Sequence, residues 1–140
     1  FGTLEDVREL FAQAKRRGIK IMLDMVLNHT SDEHPWFLEA RQSRDNPKHD
    51  WYIWRDGVPG TPPTDMISTF GGSAWQWVPE CGQYYLHQFS VKQPDLNWKN
   101  PEVRHALYDM INWWTEQGAP KFPRPGSSRK ARCCTNMSRS

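Results

Sequence analysis

Asp24, Asn28 and His29 are the polar residues of an otherwise apolar run at positions 19–29, IKIMLDMVLNH. An ionised carboxylate inside such a run is costly unless a cation or several hydrogen-bond donors meet it. The amide and the imidazole follow at the point where the run ends. Polar groups gathered at the carboxyl end of a buried parallel strand are typical of an active site on a (β/α) barrel. These three side chains are therefore the first candidates for a functional site.

Two elements would position these side chains. The apolar run predicts a parallel strand buried on both faces, because it is too continuously apolar for a strand with one wet face. Residues 3–17 predict a preceding helix, with Thr3 as its N-cap and Asp6 at the positive end of its dipole. Gly18 can end that helix. One helix followed by one strand is a step of a (β/α) barrel.

The remaining chain alternates between irregular and helical patterns. From residue 30 to about 92, prolines and glycines separate short aromatic runs, apart from a possible short helix near 35–44. A loop of this length predicts a functional elaboration. At Asn100, Pro101 and Glu102 the signals of a helix start return, and Gly118 follows the last apolar residue of that pattern.

Four motifs occur in order: DMVLNH at 24–29, FGGSAW at 70–75, YYLHQFS at 84–90 and QPDLN at 93–97. The first resembles a signature of the α-amylase superfamily of glycoside hydrolases, and the last resembles that of its oligo-1,6-glucosidase branch. The middle two resemble the α-glucosidases and trehalose-phosphate hydrolases of that branch. The resemblance implies an α/β fold, namely a fragment of a (β/α)8 TIM barrel with helix 2, strand 3 and helix 3. A barrel of about 250 residues cannot close within this length.

The same resemblance implies a domain plan. A barrel segment of helix and buried strand is expected at 1–29, the irregular domain B inserted after strand 3 at 30–98, and a barrel helix at 99–118. An aberrant basic tail occupies 119–140, with six basic residues, no acidic ones and prolines where a fourth strand should lie. Proline cannot donate to a sheet ladder. We hypothesise that the tail is out of frame or disordered, and the rival interpretation is a tail that binds nucleic acid or zinc.

The resemblance also assigns roles to individual residues. It implies that His29 donates to hydroxyls of the non-reducing glucose, that Phe89 is an aromatic wall of the glucose pocket and that Gln93 is a pocket-facing amide. Phe70 is expected to line the entrance. The alternative for each is a structural role, in which His29 is satisfied by loop backbone and the others pack.

Three further residues are expected to support the site. Asp24 matches the family carboxylate that holds the arginine of the fourth-strand motif, and without that arginine it would be a costly unpaired buried acid. Asn28 matches a calcium ligand of true amylases, although the oligo-1,6-glucosidase branch does not generally use a metal there. Asp95 is expected to hold its turn by accepting backbone N–H bonds. We therefore expect no metal and no cofactor, with calcium confined to intact relatives.

Glycosidic cleavage needs two carboxyl groups across the bond. In the superfamily they follow the fourth and fifth strands, so no catalytic residue is expected in this chain and it is predicted to be inactive alone. The intact parent is expected to be a retaining α-glucosidase that hydrolyses terminal α-linked glucose in short oligosaccharides. The alternatives are a trehalose-6-phosphate hydrolase, an isomerising relative, or an inactive carbohydrate-binding remnant.

Composition restricts the partners. The net charge is +2, but six of the eighteen basic residues lie in 119–140, which leaves twelve against sixteen acidic residues, a charge of −4. Residues 1–118 therefore offer no positively charged surface for nucleic acid.

No apolar stretch approaches the ~20 residues of a membrane span, and the three cysteines suit reduced thiols in the cytoplasm. Eight tryptophans could stack on pyranose rings or fill a core. The expected partner is an α-glucosidic oligosaccharide, with neither nucleic acid nor membrane.

Overall fold

The structure is a computed structural model that describes residues 2–119. Its elements in chain order are α1 (Leu4–Arg16), α2 (Pro35–Ala40), a 3-10 helix (His49–Trp51), β1 (Trp54–Asp56), β2 (Trp75–Val78), β3 (Gln83–Leu86) and α3 (Pro101–Glu116). The described residues form two compact units, one of residues 2–23 with 113–119 and one of residues 24–112. The basic tail, which we hypothesised to be out of frame or disordered, lies from residue 120 onward outside the described residues.

The predicted first helix is confirmed as α1. Thr3 Oγ1 accepts a bond from the Asp6 N–H at 3.3 Å, and the Asp6 carboxylate accepts one from the Thr3 N–H at 2.7 Å. This capping box satisfies two backbone donors that the helix leaves free. The bonds from Thr3 also hold the pKa of Asp6 below its usual value. Gly18, with φ of 68°, follows the end of the helix.

The strand predicted at 19–27 is not present, and that prediction is wrong for the described chain. No residue of 19–27 is in a strand and none is buried, with Met22 93% exposed. Asp24, predicted to be a buried acid, is exposed as well. A parallel strand takes its ladder bonds from neighbouring strands, whereas the sheet within residues 2–119 is entirely antiparallel and lies elsewhere. An apolar sequence cannot supply those missing bonds by itself.

The unit of residues 24–112 contains a three-stranded antiparallel sheet in the order β1-β3-β2. Tyr85 in the central strand pairs with Trp54 on one side and with Gln76 on the other. Successive side chains of a strand point to opposite faces, so Tyr85 and its neighbour Tyr84 belong to different clusters. The cluster around Tyr85 comprises Phe37, Ala40, Tyr52, Val78, Cys81, Tyr85, Leu96, Val103 and Leu107. The cluster around Tyr84 comprises Ala74, Trp75, Tyr84 and Leu86.

The two later helices were also predicted, and both are present. α2 covers the first part of the stretch expected to be helical and begins after His34, whose Nδ1 accepts a bond from the Trp36 N–H at 3.2 Å. Ahead of α3, Asn100 Oδ1 accepts from the Glu102 N–H at 2.8 Å. Among residues 2–119, no helix combines the length and the apolar character that crossing a membrane requires.

Candidate functional site

Two distant motifs lie side by side at the candidate site. His29 and Asp95 form an isolated antiparallel bridge. On either side of it, the Leu96 N–H donates to the Asn28 carbonyl at 2.9 Å and the Thr30 N–H donates to the Pro94 carbonyl at 3.3 Å. The backbone itself therefore holds the QPDLN segment against the end of the DMVLNH segment.

Three of the four predicted substrate-binding residues meet at this junction. Gln93 Nε2 lies 2.9 Å from His29 Nε2. The Phe89 ring lies 5.4 Å from the imidazole of His29, centroid to centroid, at an interplanar angle of 55°. An amide, an imidazole and an aromatic face thus adjoin one another, and together they can bind hydroxyl groups and an apolar ring face.

Among residues 2–119, Phe70 is connected with this cluster through a cavity that it shares with Phe89. It is 75% exposed and lines, together with Phe89, a cavity of about 410 Å³. The turn that carries it is closed by the Ser68 hydroxyl, which donates to the Gly71 carbonyl at 2.7 Å. Gly71 and Gly72 have φ of 90° and 75°, which residues with a Cβ rarely adopt. The expected place at an entrance stays a prediction for Phe70.

Asp95 supports the junction from inside. It is 1% exposed and accepts bonds from the Gln88 N–H at 3.2 Å, from Gln88 Nε2 at 2.6 Å and from Asn28 Nδ2 at 3.2 Å. One of these donors is the backbone N–H that the sequence predicted, and the other two are side-chain amides. Burial raises the pKa of Asp95, although the bonds from Gln88 and Asn28 and the charge of His29 oppose that effect.

Asp24 is not part of this arrangement, since no hydrogen bond or ion pair of its side chain is present within residues 2–119. Nor does that part of the chain group three His, Cys, Asp or Glu side chains as a metal site would require. Cys81 is a buried cysteine that forms no disulfide within residues 2–119, and burial raises the pKa of its thiol.

The sequence analysis missed His87 and Gln88, although both lie in the motif YYLHQFS. His87 is 5% exposed, lines the same cavity as Phe89, and its Nδ1 has no hydrogen-bond partner among the described residues. Its ring lies 5.8 Å from that of Tyr85. No local pattern could have found it, because β3 ends at Leu86 and the four consecutive residues 84–87 are all buried, without alternation.

The buried imidazole of His87 predicts a loss of stability at mildly acidic pH. Burial lowers the pKa of His87 below its ordinary value of 6.5, so the unfolded chain takes up a proton before the folded chain does. This contribution to stability is complete above pH 6.5 and is lost as the pH falls towards the pKa of the folded state. We expect the unfolding free energy to fall between about pH 7.5 and 5.5, and to fall less in His87→Gln.

Urea unfolding of both proteins at a series of pH values measures this difference. His34, whose pKa burial also lowers, is present in both proteins, so its effect cancels. Parallel pH profiles would show that His87 does not contribute.

Comparison with known proteins gives one consistent result. Residues 1–122 match the sequence profile of the Alpha amylase catalytic domain. A probable alpha-glucosidase of Rhizobium meliloti (strain 1021) is 56% identical over 123 residues, which cover 87% of this chain and 22% of the relative. The oligo-1,6-glucosidase of Parageobacillus thermoglucosidasius is 52% identical over 122 residues, with the same coverage of 87% and 22%.

Solved structures agree with these sequence matches. The trehalose-6-phosphate hydrolase of Bacillus licheniformis superimposes with a TM-score of 0.81 at 51% identity, over 85% of this chain and 22% of that one. A mutant of MutB in complex with the substrate sucrose gives a TM-score of 0.81 at 50% identity, over 85% of this chain and 21% of that one. The chain thus spans about one fifth of the length of the relatives that it matches.

Proposed function

Starting from the fact that the chain belongs to the family of Alpha amylase catalytic domains, we propose that it carries part of the glucose-binding pocket of an α-glucosidase. Family membership assigns the chain to the TIM-barrel fold of these glycoside hydrolases. Several similar proteins are named oligo-1,6-glucosidase or glucan 1,6-alpha-glucosidase, which supports an α-glucoside as the ligand.

The junction of His29, Gln93 and Phe89 is the observation on which this proposal depends. A sugar presents hydroxyl groups at its rim and C–H bonds on its ring faces. The imidazole and the amide can exchange hydrogen bonds with the hydroxyls, and the ring of Phe89 can cover a C–H face. The proposed partner is therefore an α-glucosidic oligosaccharide. The expectation that neither nucleic acid nor a membrane is a partner, and the expected cytoplasmic location, stay predictions.

The intact enzyme would hydrolyse terminal α-linked glucose from short oligosaccharides with retention of configuration. That reaction uses two carboxyl groups about 5–5.5 Å apart, one as nucleophile and one as acid and base. In the family those carboxylates follow strands that none of the four recognised motifs provides. We therefore propose that this chain binds the sugar and does not cleave it.

Titration of the 140-residue chain with isomaltose tests the binding, with tryptophan fluorescence as the signal and released glucose assayed in parallel. We expect a saturable change of fluorescence, no released glucose, and binding about tenfold weaker in His29→Ala, equivalent to about 1.4 kcal/mol. The matched control is His105→Ala, because His105 is an exposed histidine on α3. It should bind as the unmodified chain does.

Two results would contradict the proposal. One is a fluorescence signal that does not saturate with isomaltose. The other is equal weakening by His29→Ala and His105→Ala, since the junction would then have no special role. Released glucose would contradict the proposed inactivity of the chain while leaving the proposed binding in place.

A trehalose-6-phosphate hydrolase is the second candidate for the parent, and the 51% identity to a solved enzyme of that kind supports it. The same titration with trehalose and with its 6-phosphate separates the two. Clearly tighter binding of the phosphate ester would favour this candidate over an oligo-1,6-glucosidase. A carbohydrate-binding remnant differs from both in its gene, because no other reading frame beyond codon 118 would then encode a fourth barrel strand with the family's arginine motif.

A further inference from the structure

The imidazole of His29 lies between two side-chain amide nitrogens. Gln93 Nε2 is 2.9 Å from His29 Nε2, and Asn28 Nδ2 is 3.5 Å from His29 Nδ1. An amide nitrogen can only donate, whereas a neutral imidazole has one nitrogen that donates and one that accepts. The ring can therefore accept a hydrogen bond from only one of these two neighbours.

The orientation of the Gln93 amide is fixed by the backbone. Its Oε1 accepts from the Ser90 N–H at 3.1 Å, while the Gln93 N–H donates to the Ser90 carbonyl at 2.8 Å. A backbone N–H always donates, so exchanging the oxygen and nitrogen of this amide would place two donors against each other. Gln93 must therefore present its Nε2 to His29.

Asn28 is oriented in the same way by a different acceptor. Its Nδ2 donates to Asp95 Oδ1 at 3.2 Å, so that amide has a partner without His29. Its separation of 3.5 Å from His29 Nδ1 is beyond the usual range of a nitrogen hydrogen bond, whereas 2.9 Å is within it. The shorter contact therefore decides which ring nitrogen accepts.

We propose that Gln93 is a positioning residue that holds His29 as the Nδ1–H tautomer, with Nε2 as a hydrogen-bond acceptor. Ser90, through its backbone N–H, sets the direction of the Gln93 amide and so the tautomer of His29. The opposite tautomer would place an N–H of each residue against the other at 2.9 Å.

This proposal refines the proposed glucose pocket and depends on it only for its consequence. As long as Gln93 donates to His29 Nε2, the ring nitrogen left for a ligand is Nδ1, whose N–H can only donate. A sugar oxygen can accept that hydrogen bond. Gln93 would thereby make His29 a donor towards the sugar.

Long-range ¹H–¹⁵N correlation spectra of the ¹⁵N-labelled chain report which imidazole nitrogen carries the proton. The experiment is performed near neutral or slightly alkaline pH without any sugar, and His29 is assigned by the loss of its signals in His29→Gln. We expect Nε2 to be unprotonated in the unmodified chain. In Gln93→Glu, whose carboxylate can only accept, the proton should move to Nε2.

Two further variants keep the test decisive. Gln42→Glu adds the same charge at an exposed position on another segment and should leave the tautomer unchanged. Gln93→Met removes the amide without adding charge, and the Nδ1–H form should then lose its exclusive population. A protonated Nε2 in the unmodified chain, or an unchanged tautomer in both Gln93 variants, would overturn the proposal. Because no sugar is present, the outcome is independent of the titration that tests the proposed function.

Discussion

Replacing Phe37 with alanine should lower the free energy of unfolding by about 3–5 kcal/mol, the usual cost of removing a buried aromatic ring. Phe37 is 1% exposed and lies in α2 against the sheet. Its ring centroid is 5.0 Å from that of Tyr52, 4.9 Å from that of Tyr85 and 6.0 Å from that of Trp54. Alanine would leave a cavity among three large side chains, none of which can move in without losing its own contacts.

The adjacent residue provides the matched control. Leu38 lies on the same helix and is 45% exposed, so Leu38→Ala should cost less than about 1 kcal/mol. Urea unfolding followed by tryptophan fluorescence measures both variants. Equal losses would show that α2 does not anchor the unit of residues 24–112, and Phe37→Leu gives a milder test if the alanine variant does not fold.

Local signals explain why the helices could be predicted. A cap is formed by residues two or three positions apart, so Thr3 with Asp6 and Asn100 with Glu102 could be identified from the sequence alone. The strand predicted at 19–27 is a different case, because a strand depends on distant backbone partners. Its apolar composition indicated that the strand would be stable when buried, but could not indicate whether neighbouring strands are present to pair with it.

The sheet of the irregular segment was not predicted for a related reason. Its strands have three or four residues each, too few to establish an alternating pattern. β1 pairs with β3 across an intervening stretch that includes β2, so the two paired strands are distant in the sequence. Sequence analysis found only aromatic runs near both strands.

For the candidate site, the motifs supplied residue identities and the structure supplied their connections. His29 was chosen by its place at the end of the apolar run as well as by resemblance, and Phe89 and Gln93 by resemblance alone. The structure places both Phe89 and Gln93 in contact with His29. The amide of Gln88 and the direction of the Gln93 amide were not predictable, because each depends on an acceptor or donor that only the folded backbone positions. The roles assigned to these residues in sugar binding stay predictions.

Replacing Asp95 with alanine should destabilise the fold by about 2–6 kcal/mol, because two partly buried donors would lose their acceptor at about 1–3 kcal/mol each. The backbone N–H of Gln88 and the Nδ2 of Asn28 are those donors. The Gln88 side chain is exposed and can turn to water. Asp45→Ala is the control, since Asp45 is exposed, and it should change stability by less than about 0.5 kcal/mol. A similar small loss in Asp95→Ala would mean that water replaces the carboxylate.

The titration of Asp95 gives a further prediction, which concerns how the unfolding free energy depends on pH. Burial raises its pKa above the ordinary 3.8, so the folded chain keeps this proton to a higher pH than the unfolded chain. The corresponding stabilisation is complete below pH 3.8 and is lost as the pH rises through the pKa of the folded state.

Asp95→Asn cannot titrate, so the unfolding free energy of the unmodified chain minus that of the variant should decrease between about pH 3.5 and 7. Asp6, with its lowered pKa, acts in the opposite direction but equally in both proteins. A difference that increases with pH would mean that the bonds from Gln88 and Asn28 outweigh burial, so that the carboxylate is held in its charged form.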